Sequence, residues 1–131
     1  MKTIIATTPI RPRPTNTPPF GSLAILNYLR KNGVGDVEFY HIDGNRPRHE
    51  DALAYFRDRK PGVVGISSVV STAYAYTKRL AQDIKRMFPD TLVVVGGNLA
   101  ASAEVLLRRA GVDICVTGEG ERTFLEIVRR A

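Results

Sequence analysis

Four short segments of the chain carry residue types suited to holding a ligand. In Ser67-Ser68-Val69-Val70-Ser71, which follows an apolar run, the hydroxyls of Ser67 and Ser68 can exchange hydrogen bonds with a bound group. They can equally cap a helix that starts near Thr72 or Ala73. Gly96-Gly97-Asn98 removes two Cβ atoms in succession, which lets a flat or bulky group approach the backbone, although a tight turn alone would need only one of them. Gly118-Glu119-Gly120-Glu121 is the third segment. The fourth is the stretch from Thr7 to Phe20, rich in threonine, arginine and proline.

Other chemistries lack the residues they need. Gly118-Glu119-Gly120 has the look of a dinucleotide fingerprint, but that fingerprint belongs after the first strand, residue 123 is Thr rather than Gly, and a carboxylate sits badly against a pyrophosphate. A flavin or nucleotide site could use the hydroxyls of Thr7-Thr8 and Thr15-Asn16-Thr17 with Arg11 and Arg13. The prolines at 9, 12, 14 and 18 remove the amide donors such a phosphate cradle needs. His41, Asp43 and His49 have no nucleophile or further metal ligand at useful spacing, so structural or solvated roles are expected and no catalytic or metal-ligating residue is assigned. The lone cysteine, Cys115, lies in an apolar stretch and reads as a buried strand residue; with one cysteine there is no disulfide framework and no three-cysteine iron–sulfur loop. The net charge of +6 comes from Lys and Arg pairs scattered over helix surfaces and ends, which argues against a nucleic-acid partner.

The elements that must position these segments follow from hydrophobic periodicity. Five runs read as strands: residues 3–6, 37–42, 63–66, 92–95 and 114–116. Three of them are almost continuously apolar, as expected of strands covered on both faces in a parallel sheet. Helical patterns occupy about 21–32, 48–59, 73–88, 101–110 and 121–130; Gly33 and Gly111 end two of them, and Pro89 stops the third. Alternating βα units with right-handed crossovers predict a flavodoxin-like α/β three-layer sandwich on a five-stranded parallel sheet, in the order 2-1-3-4-5. The four segments then meet at the carboxyl ends of the strands, where such folds bind ligands.

Taken together, Pro-Pro-Phe-Gly entering the first helix, Val-Val-Gly-Ile-Ser-Ser, Val-Val-Val-Gly-Gly-Asn and Asp-Ile-Cys-Val-Thr-Gly-Glu-Gly-Glu-Arg-Thr-Phe resemble the N-terminal cobalamin-binding domain of cobalamin-dependent radical S-adenosylmethionine proteins. The resemblance covers Thr3 to Val128. It implies that the nucleotide tail of cobalamin threads into the sheet edge past Ser67, Ser68, Gly96 and Gly97, with Val69 and Asn98 next to them also among the cofactor-binding residues. Thr8, Asn16, Thr17, Pro18 and Gly21 of the first loop, with Gly118, Glu119 and Gly120, would flank the corrin and the domain junction. In the methionine-synthase type of cobalamin domain, an Asp-x-His-x-x-Gly motif in this loop supplies the lower cobalt ligand. Laid on Gly21, its Asp and His fall on Asn16 and Pro18, and proline has no side-chain donor atom. The resemblance therefore implies cobalamin held base-off without a protein histidine, and presented to a downstream radical S-adenosylmethionine domain that carries S-adenosylmethionine and a four-iron cluster.

Residues 1–131 are expected to form one domain, the front of a longer protein, because the sequence stops at Arg130-Ala131 within a helical pattern. No membrane span is expected, and the protein is expected to be cytoplasmic. A different class of function, a domain that keeps the fold and docks a partner domain without cofactor, is weighed beside the first.

Overall fold

The computed structural model describes residues 1–14, 18–68, 73–97, 111–117 and 120–131. Five strands, β1 (Thr3–Thr7), β2 (Val37–Tyr40), β3 (Val63–Ser67), β4 (Leu92–Gly96) and β5 (Ile114–Val116), form one parallel sheet in the order β2-β1-β3-β4-β5. The described helices are α1 (Phe20–Lys31), α2 (Ile42–Asn45), α3 (His49–Arg59), α4 (Tyr74–Met87) and α5 (Glu121–Arg130). The expected fold and strand order are both found. The helix expected over 101–110 lies outside the described residues. No described helix is long and apolar enough to cross a membrane.

Strand alternation divides the core in two. Ile4, Ala6, Val64, Ile66, Val93 and Val95 pack beneath α3 and α4 with Phe56, Leu80 and Ile84. Ile5, Val37, Val63, Val94 and Val116 face α1 and α5, meeting Leu26, Leu29, Phe124, Leu125 and Val128. The helix ends follow the expected signals. Gly33, with φ of +87°, takes the left-handed turn after α1, where Val34 N–H donates to Leu29 O at 3.0 Å. α4 ends ahead of Pro89.

One boundary differs from expectation. β2 was expected to run to Ile42, but it stops at Tyr40 and the chain turns into α2. The cause is a side chain of the neighbouring strand: Thr7 Oγ1 accepts the Asp43 N–H at 3.0 Å and shares a second hydrogen bond with His41 Nδ1 at 3.0 Å. These contacts pull the backbone out of the extended path.

The outer strand is fastened by a charged cluster. Glu38 accepts hydrogen bonds from Lys2 Nζ at 2.8 Å, Tyr55 Oη at 2.8 Å and Arg59 Nε at 2.6 Å, and the Arg59 guanidinium lies 3.5 Å above the Tyr55 ring centre. The Lys2 ammonium foremost, then the Tyr55 hydroxyl, pulls the Glu38 carboxyl down to about 2, while burial and the same contact push the Tyr55 hydroxyl up to about 12. Because the folded value lies below the ordinary 4.5, this stabilisation is complete above that pH and disappears as the pH falls through about 2. Glu38→Gln is therefore expected to lower the melting temperature near neutral pH, with the difference from the unsubstituted protein closing as the pH falls from 4.5 to about 2. Circular-dichroism melts over a pH series check this.

Candidate cofactor-binding site

The α1/α5 side of the sheet carries unusually small residues at its carboxyl end. Register places Thr7, Ser67, Gly96 and Val116 in one row across β1, β3, β4 and β5. Two residues deeper, on the same face, Ile5, Gly65 and Val94 form a second row. Gly65 and Gly96 have no side chain to fill the space between sheet and helices, and the two covering helices begin with small residues too, Gly21-Ser22 on α1 and Gly120 just ahead of α5. The result is a cavity of about 350 Å³, walled by both rows except Thr7, together with Ile25, Glu121 and Phe124.

Its polarity is graded. The inner row is apolar and closed over by Phe124, whose ring lies so near Gly65 that a Cβ there would come within 2.8 Å of it. The outer row and the helix starts supply Ser22, Ser67 and Glu121. A cavity of this kind suits a ligand with a flat apolar end and a polar stem.

A smaller cavity of about 250 Å³ adjoins it, sharing Gly21, Ser22 and Ser67, with Thr7, Thr8 and Asp43 on one side and Ile10, Pro18, Pro19 and Phe20 on the other. Phe20 is 69% exposed beside it, an unusual position for a phenylalanine. The proline-rich loop that forms the apolar side is tied down by α2. The buried Asp43 carboxylate accepts the Ile10 N–H at 3.2 Å and pairs with Arg46 Nη2 at 2.7 Å; the same Arg46 nitrogen donates to Arg13 O at 2.8 Å, and Arg46 Nε donates to Asp43 O at 2.7 Å. Thr8 Oγ1 anchors the start of the loop by donating to Ser67 O at 2.7 Å. Arg46→Met takes the cation away from a buried carboxylate and the tie away from Arg13. It is expected to cost about 1.5 kcal/mol of stability and to speed amide exchange at Ile10; urea titration and hydrogen exchange measure the two effects.

The residues named from the sequence divide as follows. Gly21, Ser67, Gly96, Gly97 and Gly120 line the larger cavity, and Thr8, Pro18, Gly21 and Ser67 line the smaller. Asn16, Thr17, Val69, Asn98, Gly118 and Glu119 lie outside the described residues. Ser68 lines neither cavity. It is fully buried, and its hydroxyl shares a 2.5 Å hydrogen bond with Thr77 on the α4 side of the sheet. The Ser68 hydroxyl bonds there to a side chain and not to a backbone N–H of α4, whose N-cap residue is Ala73. Its role is in the backbone: Ser68 N–H donates to Gly96 O at 2.9 Å, and its carbonyl oxygen lies 2.5 Å from where a Cβ on Gly97 would stand. With φ of +98°, Gly97 is in a conformation that favours glycine.

Sequence reasoning missed Ile5, Ser22, Ile25, Gly65, Ile66, Val94, Val116 and Phe124 as lining residues of the larger cavity. The two-residue period contained a signal for Gly65, which shares a face with Ser67; no comparable signal marks the helix residues. Neither histidine lines either cavity. His41 is held by Thr7 and packs against Gly44, and His49 Nε2 pairs with Asp83 at 2.6 Å between α3 and α4. Cys115 is half-buried against the α3/α4 core, where burial pushes its thiol up, in keeping with a structural strand residue. Among the described residues no group of His, Cys, Asp and Glu could hold a metal ion.

Known proteins share parts of this sequence and its fold. The chain is 29% identical over 115 residues to an anaerobic magnesium-protoporphyrin IX monomethyl ester cyclase from Rubrivivax gelatinosus, an alignment covering 86% of this chain and 20% of the cyclase. It is 32% identical over 119 residues to an uncharacterised methyltransferase from Pyrococcus horikoshii, covering 87% of this chain and 25% of that protein. The chain thus spans a quarter or less of the length of these curated relatives. Among solved structures, the cobalamin-dependent S-adenosylmethionine radical enzyme OxsB with aqua-cobalamin bound shares the fold, with a TM-score of 0.78 at 17% identity over 98% of this chain and 19% of the enzyme. A family model described as the B12 binding domain matches residues 7–128, from the end of β1 to the last turn of α5, and so spans every wall of the larger cavity except Ile5. The chain belongs to the B12-binding domain family.

Proposed function

We propose that this domain binds cobalamin base-off, with the nucleotide tail in the larger cavity and the corrin over the smaller one, and that no histidine of the chain reaches the cobalt. The observation that carries the reading is the graded cavity between α1 and α5. Its apolar inner row accommodates a displaced benzimidazole, and Ser22 and Ser67 at the outer row offer hydroxyls to the ribose and phosphate that follow it. Gly96 and Gly97 allow the tail to approach the backbone. Pro18 and Pro19, on the smaller cavity, offer the lower corrin face an apolar surface without a donor atom. His41 and His49, engaged elsewhere, support a cobalt without a protein nitrogen.

When bound, cobalamin supplies a cobalt centre that can carry a methyl group or exchange electrons. The domain holds and orients it for a downstream radical S-adenosylmethionine domain of a longer cytoplasmic protein, in which S-adenosylmethionine and a four-iron cluster reside. A methyl transfer or a related radical reaction of the whole protein then uses the presented corrin face. The cyclase and methyltransferase relatives, both several times longer than this chain, support that arrangement.

The test is titration of the purified chain with hydroxocobalamin, followed by desalting and absorbance spectroscopy. Retention of an equimolar corrin with the spectrum of a base-off species is the expected result. Passage of all corrin to the salt fraction, at protein concentrations where the chain is folded, would contradict the proposal and favour a cofactor-free docking domain.

A further inference from the structure

We infer that the larger cavity selects corrinoids by their lower base, accepting an apolar benzimidazole and discriminating against a purine. The inference rests on the tail placement proposed above and adds a specificity to it. Ile5, Gly65, Val94 and Phe124 form the inner end of the cavity, and their side chains contain neither donor nor acceptor. The backbone there is committed as well, because β1, β3 and β4 are all paired on both sides within the sheet. Among the described residues, the polar side chains, those of Ser22, Ser67 and Glu121, stand at the outer row and the helix starts. The Phe124 ring abuts Gly65 at the inner end, and a flat bicyclic base can pack against it.

A dimethylbenzimidazole buries methyl groups and ring carbons against these walls. An adenine of the same outline brings an exocyclic amine and extra ring nitrogens into a space where, among the described residues, no inner-row side chain offers them a partner, and burying a polar group unpaired is costly. The cavity is thus matched to the chemistry of one class of lower base and mismatched to the other. Val94 and Phe124 are the specificity-determining residues, since one floors the inner row and the other roofs it.

The experiment compares three ligands on the intact chain: cobalamin, the cobamide carrying adenine in place of dimethylbenzimidazole, and cobinamide, which lacks the nucleotide tail. Cobalamin is expected to bind at least about tenfold more tightly than the adenine cobamide. Val94→Thr, which keeps the β-branched shape and adds a hydroxyl to the inner row, is expected to narrow that ratio. Ile5→Thr places a hydroxyl in the same row and serves if the first variant does not fold. Affinities for cobalamin and the adenine cobamide within about threefold of each other, with cobinamide much weaker, would overturn the inference and leave the tail placement standing. Equal binding of all three would overturn the tail placement along with the inference, and retention of none would overturn the cobalamin reading itself.

Discussion

Gly96→Leu is expected to abolish corrin retention while leaving the fold intact. Gly96 is the last residue of β4 and lies in the outer row of the larger cavity, beside Ser67 and Val116. A Cβ built there meets only Val116 O, at 4.0 Å, which is ordinary contact, so the strand tolerates a side chain. Beyond the Cβ, the leucine isobutyl group points into the space the tail requires. Ile25 and Phe124 line the same cavity from α1 and α5. A loss of at least about a hundredfold in cobalamin affinity is expected, with a melting temperature close to that of the unsubstituted protein. Desalting after hydroxocobalamin loading reads the first, and a circular-dichroism melt reads the second. A Gly96→Leu protein that retained corrin as well as the original would place the tail outside this cavity.

The neighbouring glycine should behave differently. Gly97→Ala is expected to destabilise the fold by about 3 kcal/mol or more, since it combines a left-handed backbone with a steric conflict. Its Cβ would stand 2.5 Å from the Ser68 carbonyl oxygen. That carbonyl cannot yield easily, because Ser68 N–H is bonded to Gly96 O and the Ser68 hydroxyl is bonded to Thr77 beneath α4. A fall of about 10 °C or more in melting temperature follows for a domain of this size. The two substitutions, one residue apart, therefore separate occupation of the cavity from integrity of the sheet edge. A Gly97 variant lowers uptake whether or not the tail passes there, and Gly96→Leu discriminates.

Much of the scaffold is readable from the chain because its signals are local. Runs such as Leu92-Val93-Val94-Val95 specify strands covered on both faces, and Gly33 and Pro89 terminate helices through backbone geometry alone. Alternating elements with right-handed connections then leave few strand orders, and the predicted one is found. What resisted reading depends on contacts between distant segments. Ser67 and Ser68 have the same side chain, yet strand parity sends one to the cavity and the other to Thr77. The end of β2 depends on the Thr7 hydroxyl, some 34 residues earlier in the chain, and α2 together with its Asp43–Arg46 tie has no pattern of its own. Phe124 reads as one apolar position on an amphipathic helix. Only its approach to Gly65 makes it a cavity wall.

The central claim is that cobalamin is held here with its own base displaced and with no protein nitrogen in its place. Electron paramagnetic resonance of the bound cobalt(II) form tests it directly, because a nitrogen on the axial position splits each cobalt hyperfine line into a triplet. Unsplit cobalt lines are the expected result, given Pro18 beside the smaller cavity and both histidines of the chain committed to Thr7 and Asp83. Triplet splitting of those lines would contradict the account, since it would mean that a histidine or the cofactor's own base remains on the cobalt.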